Sequence, residues 1–146
     1  MNGRRLMIGF LAFVVVFAIG LIYAQFFAYY TRERDVATLE IAGAAVPVSD
    51  YDGIDATSSP LKLRGCFRLD PAAVADATPA AEPTPLTAPF WFRCFDAGQL
   101  TEDLAAGRAQ AFMVATDSPR GFDELVAVYP DGRGYLWRQL NARFAE

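Results

Sequence analysis

The sequence predicts an α+β protein in which an N-terminal transmembrane helix precedes a small antiparallel sheet of about five strands, with one helix packed on one face. Three observations predict it: an uncharged apolar run near the N-terminus, several short stretches of alternating apolar and polar residues, and one capped amphipathic segment. With 146 residues, the chain has room for one modest domain besides an anchor. We therefore expect a membrane anchor over residues 1–34 and an α+β domain over residues 35–146.

The predicted transmembrane helix is the apolar run from Leu6 to Tyr30, which contains no charged residue. At about 1.5 Å per residue it measures roughly 37 Å, enough to cross a bilayer core of about 30 Å. A cleaved signal peptide is the alternative, but a cut after Ala24 would place the bulky Ile22 where a small residue is preferred. Arginines flank both ends equally, so the run itself leaves the orientation open.

Small residues recur every fourth position in this helix, at Gly20, Ala24 and Ala28. In a helix they would share one face and let a second transmembrane helix approach closely. The alternative is that Gly and Ala are simply common in such segments. The first interpretation predicts a helix-packing face for a membrane-protein partner.

Three strands are predicted in the first half of the domain, at residues 39–41, 61–69 and 90–95. In residues 61–69, apolar side chains alternate with Lys and Arg, as in a half-buried strand. Between the second and third strands, residues 70–89 are rich in Ala, Pro and Thr. Prolines exclude a continuous helix or a central strand there, so we predict a mobile surface loop.

Local signals define the second half of the domain. Asp96 and Gln99 suit the start of a helix that Gly107 ends. A strand is predicted over residues 110–116, and LVAVYPDGRGYLWRQL predicts a hairpin. Pro130 and Asp131 suit the centre of its turn, and Gly132 can adopt a positive φ.

The only two cysteines, Cys66 and Cys94, each lie within a predicted strand. Their spacing fits no zinc, haem or CxxC pattern. We favour a disulfide across the loop, worth about 3 kcal/mol, over two buried reduced thiols. Strict alternation places Cys66 with the basic side chains and Cys94 with phenylalanines, which a bulge at Gly65 would reconcile. A disulfide would place the domain outside the reducing cytosol, in the periplasm or another extracytoplasmic space, and the N-terminus in the cytoplasm.

Composition argues against several function classes. The chain has no histidine, the commonest general base and metal ligand, and its net charge of −4 disfavours nucleic-acid binding. Ser59 and Lys62 have the SxxK spacing of some acyl-transferases but lack the companion motifs. Asp50, Asp52 and Asp55 lack the frame of a calcium loop. We therefore predict no enzymatic activity, no cofactor and no metal.

Basic and aromatic side chains are the candidate contact residues. If the two cysteine strands pair, four basic residues converge on one sheet face, where they could meet an anion, a lipid headgroup or an acidic partner. A solvated strand face is the simpler explanation and the one we favour. Aromatic residues exceed what so small a domain can bury, which predicts a partner contact. These candidates are Lys62, Arg64, Arg68, Arg93, Trp91 and Trp137.

Two segments, FWFRCFDA and GFDELVAVYPDGRGYLWRQL, resemble an uncharacterised family of small single-pass inner-membrane proteins of alphaproteobacteria. The resemblance implies a bacterial inner-membrane protein. Some members of that family carry a histidine-kinase label. That label does not suit this chain, which has no histidine to phosphorylate, no glycine-rich nucleotide lid and too few residues for an ATP-binding domain.

These observations predict a non-catalytic accessory, assembly or scaffolding protein. It would dock an inner-membrane complex, such as a respiratory or photosynthetic one, through its helix within the lipid bilayer. One alternative is a periplasmic binding or sensing module for a small anion or a lipid headgroup. A less favoured one is a thiol-redox factor that uses Cys66 and Cys94.

Overall fold

The first element of the computed structural model, which describes residues 2–145, is a long helix, α1 (Gly3–Phe26). The Asn2 side chain caps it by accepting a hydrogen bond from the Arg4 amide at 3.1 Å. None of its residues is buried, and it is long and apolar enough to cross a membrane.

The helix ends before the predicted limit at Tyr30. Tyr29 has a positive φ of 70°, and the chain turns over residues 27–29. Ala28 therefore lies in this turn, and the prediction that it shares a helix face with Gly20 and Ala24 is wrong.

The domain is built on a six-stranded antiparallel sheet, which confirms the α+β class. Its strands are β1 (Tyr30–Glu33), β4 (Ser49–Ala56), β5 (Arg64–Arg68), β6 (Gln110–Ala115), β7 (Phe122–Val128) and β8 (Arg133–Leu140). They lie in the order β1-β4-β5-β8-β7-β6. A separate hairpin consists of β2 (Thr38–Ile41) and β3 (Ala44–Pro47). β1 pairs with β4, so the sheet begins before the predicted domain boundary at residue 35.

Shorter elements complete the chain. The second α-helix, α2, spans Ala97–Ala106. Three short 3-10 helices span Pro60–Lys62, Pro71–Val74 and Ala142–Ala145.

The sheet separates two hydrophobic cores. On one face, residues of the β2–β3 hairpin such as Ile41 and Val46 pack with Val126. On the other face, Leu100 of α2 packs with Leu125. The alternation along β7 sends neighbouring side chains to opposite cores. The sheet is therefore buried on both faces: the predicted helix covers one of them, and the β2–β3 hairpin covers the other.

The β7–β8 hairpin confirms the prediction for the C-terminal third of the domain. The Gly132 amide donates to the Tyr129 carbonyl at 3.0 Å, and Gly132 has a φ of 96°. A Cβ at Gly134 would collide with the Phe67 ring, so the ring packs directly on the backbone of β8.

Helix α2 is capped as its sequence predicts. The Asp96 carboxylate accepts a hydrogen bond from the Gln99 amide at 3.0 Å, and Gly107 ends the helix with a φ of 77°. The Gln99 side chain donates to Asp103 at 3.0 Å instead of completing a capping box.

Residues 90–95 form a turn segment, so the prediction of a strand there is wrong. The Phe92 amide donates to the Pro89 carbonyl at 2.9 Å, which closes a turn. Phe92 and Phe95, three residues apart, are both buried in the α2 core. The segment packs on the face of the sheet instead of pairing at its edge, so apolar residues here do not follow strand alternation.

Residues 70–89 form neither a long helix nor a central strand, as their prolines predict, but they are not a free loop. The Ala80 amide donates to the Ala111 carbonyl at 2.9 Å, and the Met113 amide donates to the Thr78 carbonyl at 2.8 Å. Val74 is buried. The segment therefore covers the outer edge of β6, which would otherwise expose unpaired backbone groups.

Candidate functional site

Aromatic side chains join the end of α1 to the turn at residues 90–94. We call this group the junction cluster; its members are Phe26, Phe27, Tyr30, Phe90 and Trp91. The Trp91 indole Nε1 donates to the Phe26 carbonyl at 2.5 Å. This carbonyl is one that the end of a helix leaves without a partner inside the helix. Trp91 thus caps α1 from within the domain.

Ring contacts extend this connection. The Phe27 ring stacks on Trp91 with centroids 6.0 Å apart, and Tyr30 meets Trp91 edge-on at 5.6 Å. Phe90 makes edge contacts with Phe26 and Phe27, both at 5.7 Å. Even so, Phe90 is 66% exposed. Aromatic pairs at these distances are favourable, so the domain and the helix are held together by several contacts.

A disulfide between Cys66 and Cys94 fixes the turn to the sheet. The sulfur atoms lie 2.16 Å apart and the Cα atoms 6.3 Å apart. The predicted bridge is therefore present, but it joins β5 to a turn instead of joining two neighbouring strands.

The bulge predicted at Gly65 is absent, because Gly65 pairs regularly with Gly53 and Leu136. No bulge is needed, since Cys94 lies outside any strand. Gly65 instead lies beneath Tyr51, whose hydroxyl would be 3.2 Å from an added Cβ.

Arg64 lies on the same face of β5 as Cys66 and is only 4% exposed. Its guanidinium donates to the carbonyls of Leu63 at 2.6 Å, Leu86 at 2.9 Å and Thr87 at 3.2 Å, and also to that of Leu61. All of these acceptors are backbone carbonyls. Burial lowers the pKa of Arg64 to about 10, so the group stays ionised at neutral pH.

The role of Arg64 is therefore structural. It ties the end of the proline-rich segment to β5, and its guanidinium lies 5.7 Å from the centre of the Phe95 ring. The prediction that Arg64 contacts an anion or a partner is wrong, because its donors are directed inward.

The other predicted contact residues are dispersed. Lys62 places its ammonium 5.1 Å from the centre of the Tyr30 ring, beside the junction cluster. Arg68 is exposed and donates weakly to the Asp131 carbonyl at 3.5 Å, and Arg93 is exposed in the turn. The four basic residues therefore do not form one patch.

The two tryptophans also lie in different parts of the domain. Trp91 belongs to the junction cluster, whereas Trp137 is 0% exposed and donates to the Gln139 side chain at 3.0 Å. The prediction of a partner contact is therefore wrong for Trp137. It belongs to the α2 core.

Ser59, from the SxxK spacing, and Asp52, from the acidic stretch, both have structural roles. The Ser59 hydroxyl accepts from the Leu61 amide at 3.2 Å and so caps a 3-10 helix. Asp52 forms ion pairs with Arg32 at 2.7 Å and Arg34 at 3.6 Å. The hydrogen bonds from Arg32 hold the pKa of Asp52 below its usual range. Within residues 2–145, no group of three or more His, Cys, Asp or Glu side chains could hold a metal ion.

One polar network was not found by sequence reasoning. Asp103 is buried on α2, where it accepts hydrogen bonds from the Tyr129 hydroxyl and from Arg108 Nε, the latter at 2.7 Å. These bonds hold the pKa of Asp103 below its usual value. The i, i+4 spacing of Gln99 and Asp103 is a signal that could have suggested part of it. The network stabilises the end of α2 against the β7–β8 turn.

A family model matches most of the chain. The family model described as "Family of unknown function (DUF6446)" matches residues 36–146. No curated protein and no solved structure matches the chain. The match covers the domain from the residues after β1 onward and does not include α1. Since it spans well over half of the sequence, the chain belongs to this family of unknown function, DUF6446.

Proposed function

We propose that this protein is a non-catalytic, membrane-anchored accessory, assembly or scaffolding protein of the bacterial inner membrane. Its helix would dock a larger membrane complex, for which respiratory and photosynthetic complexes are candidates, and its domain would lie in the periplasm. The observation that carries the proposal is the junction cluster. It joins an apolar helix that has no buried residue to the domain without a flexible linker.

The junction cluster supports an anchor that is retained after synthesis. The Phe26 carbonyl is the acceptor for Trp91, and the Phe26 ring contacts Phe90. Cleavage after Ala24 would remove the helix that positions these groups. The cluster residues themselves begin at Phe26, so cleavage would remove the helical turn with Tyr23, whose ring stacks on Phe27 and whose carbonyl accepts the Phe27 amide at 2.9 Å. Loss of that turn would leave the cluster without the helix that orders it, which favours a retained anchor over a cleaved signal peptide.

The disulfide supports the proposed topology. Disulfides persist outside the reducing cytosol, and here the bridge holds the turn that contacts α1. The domain would then be periplasmic and the N-terminus, with Arg4 and Arg5, cytoplasmic. The resemblance to alphaproteobacterial single-pass proteins is the support for an inner-membrane location.

A partner face on the helix is supported by Gly20 and Ala24, four residues apart in the C-terminal half of α1. Addition of a Cβ at Gly20 meets no atom within 4 Å, so a second helix could approach closely there.

Native electrophoresis after extraction in a mild detergent tests this proposal. The wild-type chain should co-migrate with a larger complex, and the double variant Gly20→Leu/Ala24→Leu should release it as a smaller species. Ala18→Leu is the matched control, because at about 100° per residue it lies on roughly the opposite side of the helix. A wild-type chain that migrates alone in every mild detergent would reject the proposal.

The alternative of an anion-binding module has less support. It required four converging basic side chains, and the structure buries Arg64 and separates Arg68 from the rest. Of that set, Lys62 lies beside the junction cluster, where a lipid headgroup is the nearest anion available to a membrane-anchored domain.

A further inference from the structure

We propose that the outer side of the turn at residues 90–94, formed by Phe90, Trp91 and Arg93, is a second membrane contact, which inserts at the interface of the leaflet from which α1 emerges. Phe90 would lie among the lipid chains near the interface, with Trp91 at the level of the headgroups. The inference depends on α1 spanning the bilayer, which is one part of the proposed function. It does not depend on a partner complex.

The length of α1 determines where the turn lies along the membrane normal. At about 1.5 Å per residue, the stretch from Leu6 to Phe26 spans roughly 31 Å, close to the thickness of a hydrocarbon core. With Arg4 and Arg5 in the opposite headgroup region, Phe26 lies at the outer boundary of that core. The helix itself thus places its last carbonyl at the membrane interface.

Contacts with Phe26 and Phe27 place the turn at the same level along the membrane normal as the end of α1. Trp91 bonds to the Phe26 carbonyl, and Phe90 contacts the rings of Phe26 and Phe27. An indole with an apolar body and a polar N–H prefers the interface of a bilayer. Residues 90 and 91 therefore cannot be far from the lipid if α1 crosses it.

Exposed apolar area is concentrated at this end of the domain. Among residues 27–143, whose side-chain exposure the structure describes, the exposed large hydrophobic side chains are Phe27, Tyr29, Phe90 and Leu140. Three of them lie at the junction, and Phe90 and Tyr29 are 66% and 68% exposed. Contiguous exposed aromatic side chains usually mark a surface that is covered in use.

Charge at the junction suits a lipid surface. Lys62 lies beside Tyr30, and the exposed Arg93 follows within the turn. Long basic side chains next to an apolar insertion can reach lipid phosphates while their stems remain in the apolar region.

The turn is rigid enough to act as a fixed insertion. The disulfide attaches Cys94 to β5, and the buried Phe92 and Phe95 hold the turn on the sheet. Phe90, two residues before the buried Phe92, is therefore held at the surface of the domain. A lipid surface is favoured over a partner protein because the exposed patch is continuous with the apolar surface of α1.

Tryptophan quenching in vesicles tests the inference with the full-length protein. The chain is reconstituted in phosphatidylcholine that carries bromine either near the interface or near the chain ends. Trp91→Phe leaves only the buried Trp137, so the difference from wild type isolates the Trp91 emission. We expect interfacial bromine to quench Trp91 at least about twofold more than deep bromine, and aqueous iodide to quench it weakly.

A pair of variants makes the test specific. Phe90→Asp should raise iodide quenching of Trp91 at least about twofold, because a carboxylate is expelled from the interface. Leu140→Asp is the matched control, since Leu140 is also exposed but lies at the end of β8, and it should change nothing.

Absence of quenching by interfacial bromine overturns the inference, whatever iodide does. If, in that case, iodide quenches Trp91 in vesicles of the purified chain but not in the complex extracted with mild detergent, a partner protein covers this surface. Interfacial quenching without co-migration would keep this inference and reject the proposed docking to a complex, so the two proposals fail separately.

Discussion

Arg64 shows how a single residue departs from what strand alternation suggests. Its position between Leu63 and Gly65 in an alternating stretch indicates a solvent-facing side chain. Both faces of β5 are covered, however, so every residue from Arg64 to Phe67 is buried. No local pattern contains that information, because it depends on where residues 86–95 pack.

Replacement of Arg64 tests its structural role. Arg64→Lys should lower the free energy of unfolding by about 2 to 4 kcal/mol, because an ammonium cannot reach the separated carbonyls that the planar guanidinium bridges. The measurement is the midpoint of urea unfolding in detergent micelles, followed by tryptophan fluorescence.

Arg68→Lys is the control for this change. Arg68 is exposed on the same strand, so its replacement should shift the free energy of unfolding by less than about 0.5 kcal/mol. Equal effects of the two substitutions would contradict a structural role for Arg64.

Asp103 should give the domain part of its sensitivity to acid. The hydrogen bond from Tyr129, and then that from Arg108, lower the pKa of its carboxyl below the ordinary 3.8. A group whose pKa is lower in the folded state contributes stability above its unfolded pKa and loses it as the pH falls through the folded value.

We therefore expect the urea midpoint of wild type to fall as the pH drops below about 4, and to fall less steeply in Asp103→Asn. Asp76→Asn, at an exposed position, should keep the wild-type slope. Parallel curves for wild type and Asp103→Asn would show that this carboxylate is not a source of the acid sensitivity.

Elements with local signals were predicted well. The start of α2 at Asp96, its end at Gly107 and the turn at Gly132 follow from capping and turn residues that act within a few positions. The turn at residues 90–95 was missed because its apolar residues resemble a strand when considered alone. Its conformation depends on packing against α2, the sheet and α1, which are distant in sequence.

The disulfide should stabilise this turn as an element. The double variant Cys66→Ala/Cys94→Ala should lose about 3 kcal/mol of unfolding free energy, because the closed loop no longer restricts the unfolded chain. It should also shift the Trp91 emission to longer wavelength as the turn loosens from α1.

The comparison for that variant is reduced wild-type protein. It is prepared with a strong reductant under denaturing conditions and refolded without oxidation, and its free energy of unfolding is measured in the same way. Both should show the same loss of stability. A variant as stable as the oxidised wild type would show that packing of Phe92 and Phe95 alone holds the turn.

At the scale of the whole molecule, the sequence predicted an apolar helix followed by a small α+β domain, and both are present. It did not predict how they are joined. The predicted boundary at residue 35 left residues 30–33 in the anchor, but Tyr30–Glu33 already belongs to the sheet. Pairing with β4 is a long-range contact that composition cannot indicate.

The proposed topology predicts the redox state of the chain in cells. Cells are precipitated in acid, and free thiols are blocked with N-ethylmaleimide. One half of the sample is then reduced, and both halves are treated with a polyethylene-glycol maleimide. Only the chain in the reduced half should gain two labels. A disulfide formed in the periplasm requires this result. Cys94→Ala is the control, because its single thiol is blocked in the first step and gains no label.

A chain that is fully blocked before any reduction would place its domain in a reducing compartment. That result would contradict the periplasmic location while leaving the fold unchanged.

Only Phe27, Ala28 and Tyr29 separate the last residue of α1 from the first of β1, and Trp91 fastens that short joint. Rotation of α1 about its own axis must therefore turn the whole sheet with it. If α1 spans a bilayer as proposed, a neighbouring helix that packs on one side of α1 would therefore also determine which edge of the sheet faces that neighbour outside the bilayer.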